Sequence, residues 1–96
     1  MKVGFRPAAE VELSEVIAWY MRYAPEIVDR FEEELDELVG LMARSPREFA
    51  VKYRTVRQAL FRSLPYRLFF VIRKHRVEVL AVRHQSRDPR GWPTPT

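Results

Sequence analysis

Four of the prolines, Pro7, Pro25, Pro46 and Pro65, cut this chain of 96 residues into pieces that each suit one kind of regular structure. Proline lacks a backbone N–H and disfavours helical backbone at the residue before it, so it opens and ends helices rather than sitting inside them. Ahead of Pro7, Lys2 to Arg6 reads as a short extended segment with Val3 and Phe5 on one face. After it, Leu13, Val16, Ile17, Tyr20 and Ala24 recur at helical spacing. Glu10, Glu12 and Glu15 fall in the early turns, where the helix dipole favours negative charge. Between Pro25 and Pro46 a second helix sets Val28, Phe31, Leu35, Leu38, Leu41 and Met42 against Asp29, Glu32, Glu33, Asp36 and Glu37. Two amphipathic helices with almost no loop between them form an antiparallel hairpin, and each has an apolar stripe to bury.

The second half supplies a sheet to bury them against. Residues 55–63, 66–73 and 76–83 are rich in Val, Leu, Phe and Ile, and Leu64-Pro65 and a tight turn at Lys74-His75 separate them as an antiparallel meander. In YRLFFVIR, Tyr66, Leu68, Phe70 and Ile72 share one face, and Arg67, Phe69, Val71 and Arg73 the other. The last strand sets Val77, Val79 and Ala81 against Leu80 and Val82 by the same alternation. Both faces are therefore apolar at their centre, while two helices can cover only one. The other face needs a partner, or residues 85–96 folded back with Trp92 as a lid. The fold predicted is a single α+β domain over 1–96: a short N-terminal strand, an antiparallel helical hairpin and a three-stranded antiparallel meander. The ending GWPTPT, with its alternating prolines, predicts a flexible tail over 91–96.

Charge divides the chain as sharply as the prolines do. Residues 1–43 carry 4 basic and 10 acidic side chains, net −6, and residues 44–96 carry 13 basic and 3 acidic, net +10. Of the 17 basic residues 14 are arginine, whose planar fork binds phosphate or carboxylate bidentately. The absence of cysteine excludes disulfides, thiolate metal sites and Cys nucleophiles, and two separated histidines argue against structural zinc. Three glycines cannot build a phosphate-cradling loop. No cofactor and no metal are expected. With no apolar run long enough to span a bilayer and no signal-like N-terminus, a cytoplasmic protein without membrane contact is expected.

Arg57 at the start of the meander, PYRLFF at 65–70, AVRHQSRDPRGW at 81–92 and AAEVELSEVIAWY after the first strand, taken in order, resemble the RelE/ParE superfamily. These are toxins of bacterial type II toxin–antitoxin systems, often described as plasmid stabilisation proteins. The resemblance covers nearly the whole chain. It implies a curved antiparallel sheet packed on the helical hairpin, and a cognate antitoxin whose flexible, often acidic segment wraps the toxin in a hetero-oligomer. An acidic segment would be steered to the +10 half.

The superfamily holds two mechanisms, and they ask for different residues. RelE-like members cut mRNA on the ribosome without a metal, as mRNA interferases, whereas ParE-like members poison DNA gyrase. Metal-free RNA cleavage needs a proton acceptor, a stabilised phosphorane and a protonated leaving oxygen. Under that reading the resemblance makes Arg67 and His84 the catalytic candidates. Arg57, Arg62, Arg83 and Arg87 are candidates for binding a partner or nucleic acid, and Trp92 for stacking on a base. Departures weigh against the nuclease. The two lysines of the RelE type are replaced by Gln58 and Leu60, the tail tyrosine is missing, and Glu48 has no assured place near His84. The ending HQSRDPRGW is more similar to the ParE side, with Asp88 pairing an arginine of the sheet. The function expected is a ParE-like toxin inhibiting growth through DNA gyrase. The alternatives are a RelE-like ribosome-dependent mRNA endonuclease and a binding module that has lost toxicity.

Overall fold

A computed structural model describes residues 1–95, and Thr96, the last residue of the expected flexible tail, lies outside the described residues. Strand β1 (Lys2–Phe5) leads into helix α1 (Pro7–Tyr23), a single 3-10 turn at Pro25–Ile27, and helix α2 (Val28–Arg44). A second 3-10 turn at Pro46–Glu48 precedes β2 (Val51–Tyr53), β3 (Val56–Leu60), β4 (Tyr66–Arg73) and β5 (Arg76–His84). The proline boundaries hold to within a residue or two. Pro7 stands in the first turn of α1, and Ala9 and Glu10 donate to the carbonyl of Arg6 at 2.9 and 3.0 Å.

The sheet has five strands in the order β1-β5-β4-β3-β2. β2 to β5 are antiparallel neighbours, while β1 lies parallel to β5 with Val3 opposite Val77 and Phe5 opposite Val79. The expected three-stranded meander is thus the centre of a larger mixed sheet. The strand expected over 55–63 ends at Leu60, because the chain then leaves the sheet to bury Phe61 and Leu64 against the helices. Ser63, between them, is held by the α2 residue Glu34: its backbone N–H donates to Oε1 at 2.9 Å and its hydroxyl donates to Oε2.

Phe31, Leu38 and Met42 of α2, with Ala9 and Tyr20 of α1, pack on Leu68, Phe70, Val77, Val79 and Val82 to form the main core. On the opposite face Val56, Phe69, Val71, Leu80 and Ala81 form a second cluster, with Tyr53 against it. The alternation expected in the last strand is broken here. A bulge between Phe69 and Phe70 sets Phe69 opposite Ala81 and Phe70 opposite Val79, so Leu80 is an extra residue on β5. Leu80 and Ala81 therefore both join the outer cluster, and Val82 turns to the helices, the reverse of simple alternation for these last two.

β1 pairs with β5 only as far as Val79, and side chains take over beyond it. Arg6 donates from its backbone N–H to Val79 O at 3.0 Å and from Nε to Leu80 O at 2.9 Å. Glu12 Oε1 accepts the Val82 N–H at 2.9 Å. No helix is long and apolar enough to cross a membrane among the described residues.

Candidate functional site

Of the residues singled out by sequence, Arg67, Arg83, His84, Arg87 and Trp92 gather around the C-terminal end of β5 and the segment that follows it, whereas Arg57 and Arg62 lie elsewhere. Register divides them. Tyr66 pairs with His84 and Arg67 with Arg83, so adjacent positions on β4 and β5 point to opposite sides of the sheet.

On the helix side, His84 meets the Tyr66 ring edge-on at 5.3 Å, and its Nδ1 accepts the Ser86 N–H at 3.2 Å. When neutral, the imidazole therefore carries its proton on Nε2. An open groove of about 1060 Å³ runs here between α1 and the 86–90 segment, walled by Val16, Trp19 and Tyr20 on one side and by His84, Arg87 and Pro89 on the other. Burial pushes the Tyr66 hydroxyl above its usual range. Tyr20 is raised by burial and by Tyr66 beside it, with Arg30 opposing. Neither phenol is prepared to take a proton near neutrality. Arg87 is exposed, and no hydrogen bond or ion pair engages it among the described residues.

Arg67 lies on the outer face. Its Nη1 donates to Gln58 Oε1 at 3.0 Å, and its guanidinium carbon stands 4.7 Å from the Phe69 ring centre and 5.8 Å from that of Trp92. Trp92 packs edge-on to Phe69 at 5.3 Å and parallel to Tyr53 at 6.0 Å. Pro93 beside it is buried, Arg6 Nη1 donates to Thr94 O at 3.2 Å, and Arg73 donates to Pro95 O. The segment expected to be flexible thus lies, through Pro95, across the outer cluster, and Trp92 covers part of it.

The pleat keeps Arg67 and His84, the two catalytic candidates, on opposite faces. The other arginines are distributed unequally. Arg57 turns inward, donating from Nη1 to Arg47 O at 3.1 Å and Phe49 O at 2.8 Å, and so ties β3 to the chain between α2 and β2. Arg62 forms an exposed pair with Glu37 of α2 at 3.3 Å. Arg83 is nearly buried: Nε reaches Glu12 Oε2 at 3.3 Å and Asp88 Oδ2 at 3.7 Å, and Nη1 donates to Gly91 O at 2.7 Å. Asp88 does pair an arginine of the sheet. It also accepts the backbone N–H and Nε of Arg90, both at 2.9 Å, and Arg90 reaches Glu12 as well.

Two carboxylates and two guanidinia thus fasten the turn after β5 to α1. Arg90 beside Asp88 holds its carboxyl down at about 2 against the opposing effect of burial, with Arg83 adding to the pull. Sequence reasoning did not find Glu12 or Arg90. The early glutamates of α1 look alike to the helix dipole, and nothing local marks the one that faces β5 seventy residues later. Glu48 lies in the 3-10 turn after α2 and does not line the groove that holds His84. No group of acidic, His or Cys side chains capable of holding a metal occurs among the described residues.

A search of curated protein sequences finds no match. Among solved structures, the chain superimposes on one from the chromosomal ParDE toxin–antitoxin system of P. aeruginosa with a TM-score of 0.73 and 16% identity, covering 88% of this chain and 95% of that one. At that identity the likeness establishes the fold. The family model for the ParE toxin of the type II toxin–antitoxin system parDE matches residues 3–89, from β1 through the Glu12–Arg83–Asp88 contacts. The chain belongs to the ParE toxin family of type II toxin–antitoxin systems.

Proposed function

We propose that this chain is a growth-arresting toxin that acts by binding DNA gyrase, cuts no nucleic acid itself, and is neutralised in the cytoplasm by a cognate antitoxin. The observation that carries this reading is the separation of Arg67 and His84. A cleaving site needs its proton acceptor and its phosphate-binding cation on the same scissile group, within hydrogen-bonding reach. Here the sheet stands between them. Arg67 is flanked on its own face by Gln58 and Leu60, which pair across from Phe69 and Arg67 and supply no second cation. Membership of the ParE family supports both the gyrase target and the antitoxin. The antitoxin's place is the groove beside α1: its ring-lined wall offers apolar area, and its rim carries exposed charge of both signs in Arg87 and Glu15.

The test is a supercoiling assay with purified gyrase and relaxed plasmid, run beside 5′-end sequencing of cellular RNA after induction. Blocked supercoiling with intact messages is the expected result. Translation-dependent cuts at codon positions would overturn it in favour of the ribosome-bound nuclease. Neither effect, with no growth arrest, would leave a binding module without toxicity.

A further inference from the structure

The lysines of this arginine-rich chain are not scattered. Because β1 lies parallel to β5, and β3 antiparallel to both β4 and β2, the starts of β1, β5 and β3 and the ends of β4 and β2 fall at one end of the sheet, away from His84. Lys2 stands opposite Arg76 there, and Arg76 opposite Arg73. Lys74 lies in the β4–β5 turn, while Lys52 and Arg54 border the turn between β2 and β3. All three lysines of the chain thus join three arginines in one row. Neighbouring strands are about 4.8 Å apart, so a row across five of them is roughly 19 Å long.

Little within the fold neutralises this row. Glu78 lies 2.7 Å from Arg73 and 3.8 Å from Arg76, one carboxylate for two guanidinia. Lys2, Lys52, Arg54 and Lys74 are exposed, and no ion pair engages them among the described residues. The backbone is unusual at the same end. Arg54 and His75, with φ of 53° and 63°, are the non-glycine residues held in the left-handed region among the described residues, and each stands at one of the two turns. Costly backbone beside unpaired charge points to a use outside the fold.

The surroundings narrow the chemistry of the partner. Tyr53, the ring beside Lys52, is occupied by Trp92 at 6.0 Å and by Arg54 at 5.4 Å, so it is not free to stack on an unpaired base. An acidic protein segment would find charge but little apolar anchorage, because the most exposed large apolar side chains, Met21, Tyr23, Val11 and Trp19, all lie on α1. A double helix needs neither ring nor anchor. It offers phosphates on both banks of a major groove about 12 Å wide, within the span of the row. Lysine, a compact charge on a flexible stem, suits phosphate contact that reads no sequence.

We infer that this end of the sheet binds the phosphate backbone of double-stranded DNA without reading its sequence. The inference goes beyond the gyrase reading and does not rest on it: it is tested on the isolated protein, so the two fail separately.

The experiment is a titration of a short, fluorescently labelled DNA duplex, followed by anisotropy at a series of salt concentrations. The logarithm of the binding constant should fall with the logarithm of salt with a slope of about −4, as for roughly four or five phosphates neutralised. Replacing the lysines together, as Lys2→Ala, Lys52→Ala and Lys74→Ala, should bring that slope to about −1. A second protein carrying Arg22→Ala, Arg62→Ala and Arg87→Ala loses the same formal charge outside the row and should keep the parent slope. Far-UV circular dichroism and thermal midpoints check that both proteins fold. Equal loss of binding in the two would overturn the site, because it would reduce the contact to the overall positive charge. Competition by a polyglutamate peptide or an RNA duplex that matches competition by unlabelled DNA duplex would overturn it as well.

Discussion

Glu34 shows how a single charged side chain can be fixed inside a core this small. It is 1% exposed among Phe31, Leu38 and Met42, yet the N–H and hydroxyl of Ser63 both donate to it. Burial pushes its carboxyl up, but those two bonds and nearby Arg62 outweigh burial and leave it below the usual range. Glu34→Ala removes two charge-assisted hydrogen bonds and should cost on the order of 2–3 kcal/mol in a denaturant titration. Asp88 follows the same logic at the surface. Its folded value of about 2 lies below the ordinary 3.8, so its contribution to stability is present in full above 3.8 and is lost as pH falls toward 2. Unfolding measured between pH 5 and 2 should show that loss in the parent protein and a flatter profile in Asp88→Asn. Neither role was legible in sequence. Glu34 is one of several acidic residues on α2, and only its place opposite the 61–65 loop distinguishes it.

Among the elements, the helices were easiest to read, because proline fixes their ends and periodicity their buried stripes. The sheet was legible where alternation is local and misleading where one extra residue resets it. At Leu80 the bulge sends two successive residues outward, and no residue type near Leu80 announces this. β2 was missed because three residues before a turn at Arg54, with its positive φ of 53°, carry too little pattern to register. The parallel pairing of β1 with β5 joins segments more than seventy residues apart and leaves no local trace. Arg57 was noticed, but for another role. Its clasp on Arg47 and Phe49 holds β2 in place, so Arg57→Ala should raise amide hydrogen exchange across 47–53 while β4 and β5 keep their protection.

Over the whole molecule, the acidic and basic halves of the sequence do not become two separate surfaces. Part of the excess is cancelled internally where Glu12 of the first half meets Arg83 and Arg90 of the second. The rest is divided between the faces: Arg67 lies beside the apolar cluster that two helices cannot reach, and Arg87 stands in the groove on the helix side. The lid foreseen for that face is Trp92 with Pro93, held by Arg83, Arg6 and Arg73 through the carbonyls of Gly91, Thr94 and Pro95. Ending the chain at Gly91 should therefore uncover Phe69, Val71 and Leu80. Increased binding of a hydrophobic dye and a midpoint lowered by several degrees are expected, since losing about 1 kcal/mol shifts a domain of this size by roughly 4–8 °C. The candidate site was legible as a list of residues but not as an arrangement, because the pleat decides which arginine shares a face with which aromatic.

The contacts of Arg6 and Glu12 with β5 bear on how such a chain survives before it meets a partner. Beyond Val79 they occupy the carbonyl of Leu80 and the amide of Val82, where an incoming strand would seek its first bonds. A growing stack of copies would have to displace a carboxylate already shared with two arginines. That stretch of the sheet is closed to templated aggregation by side chains alone, without a further strand to cover it.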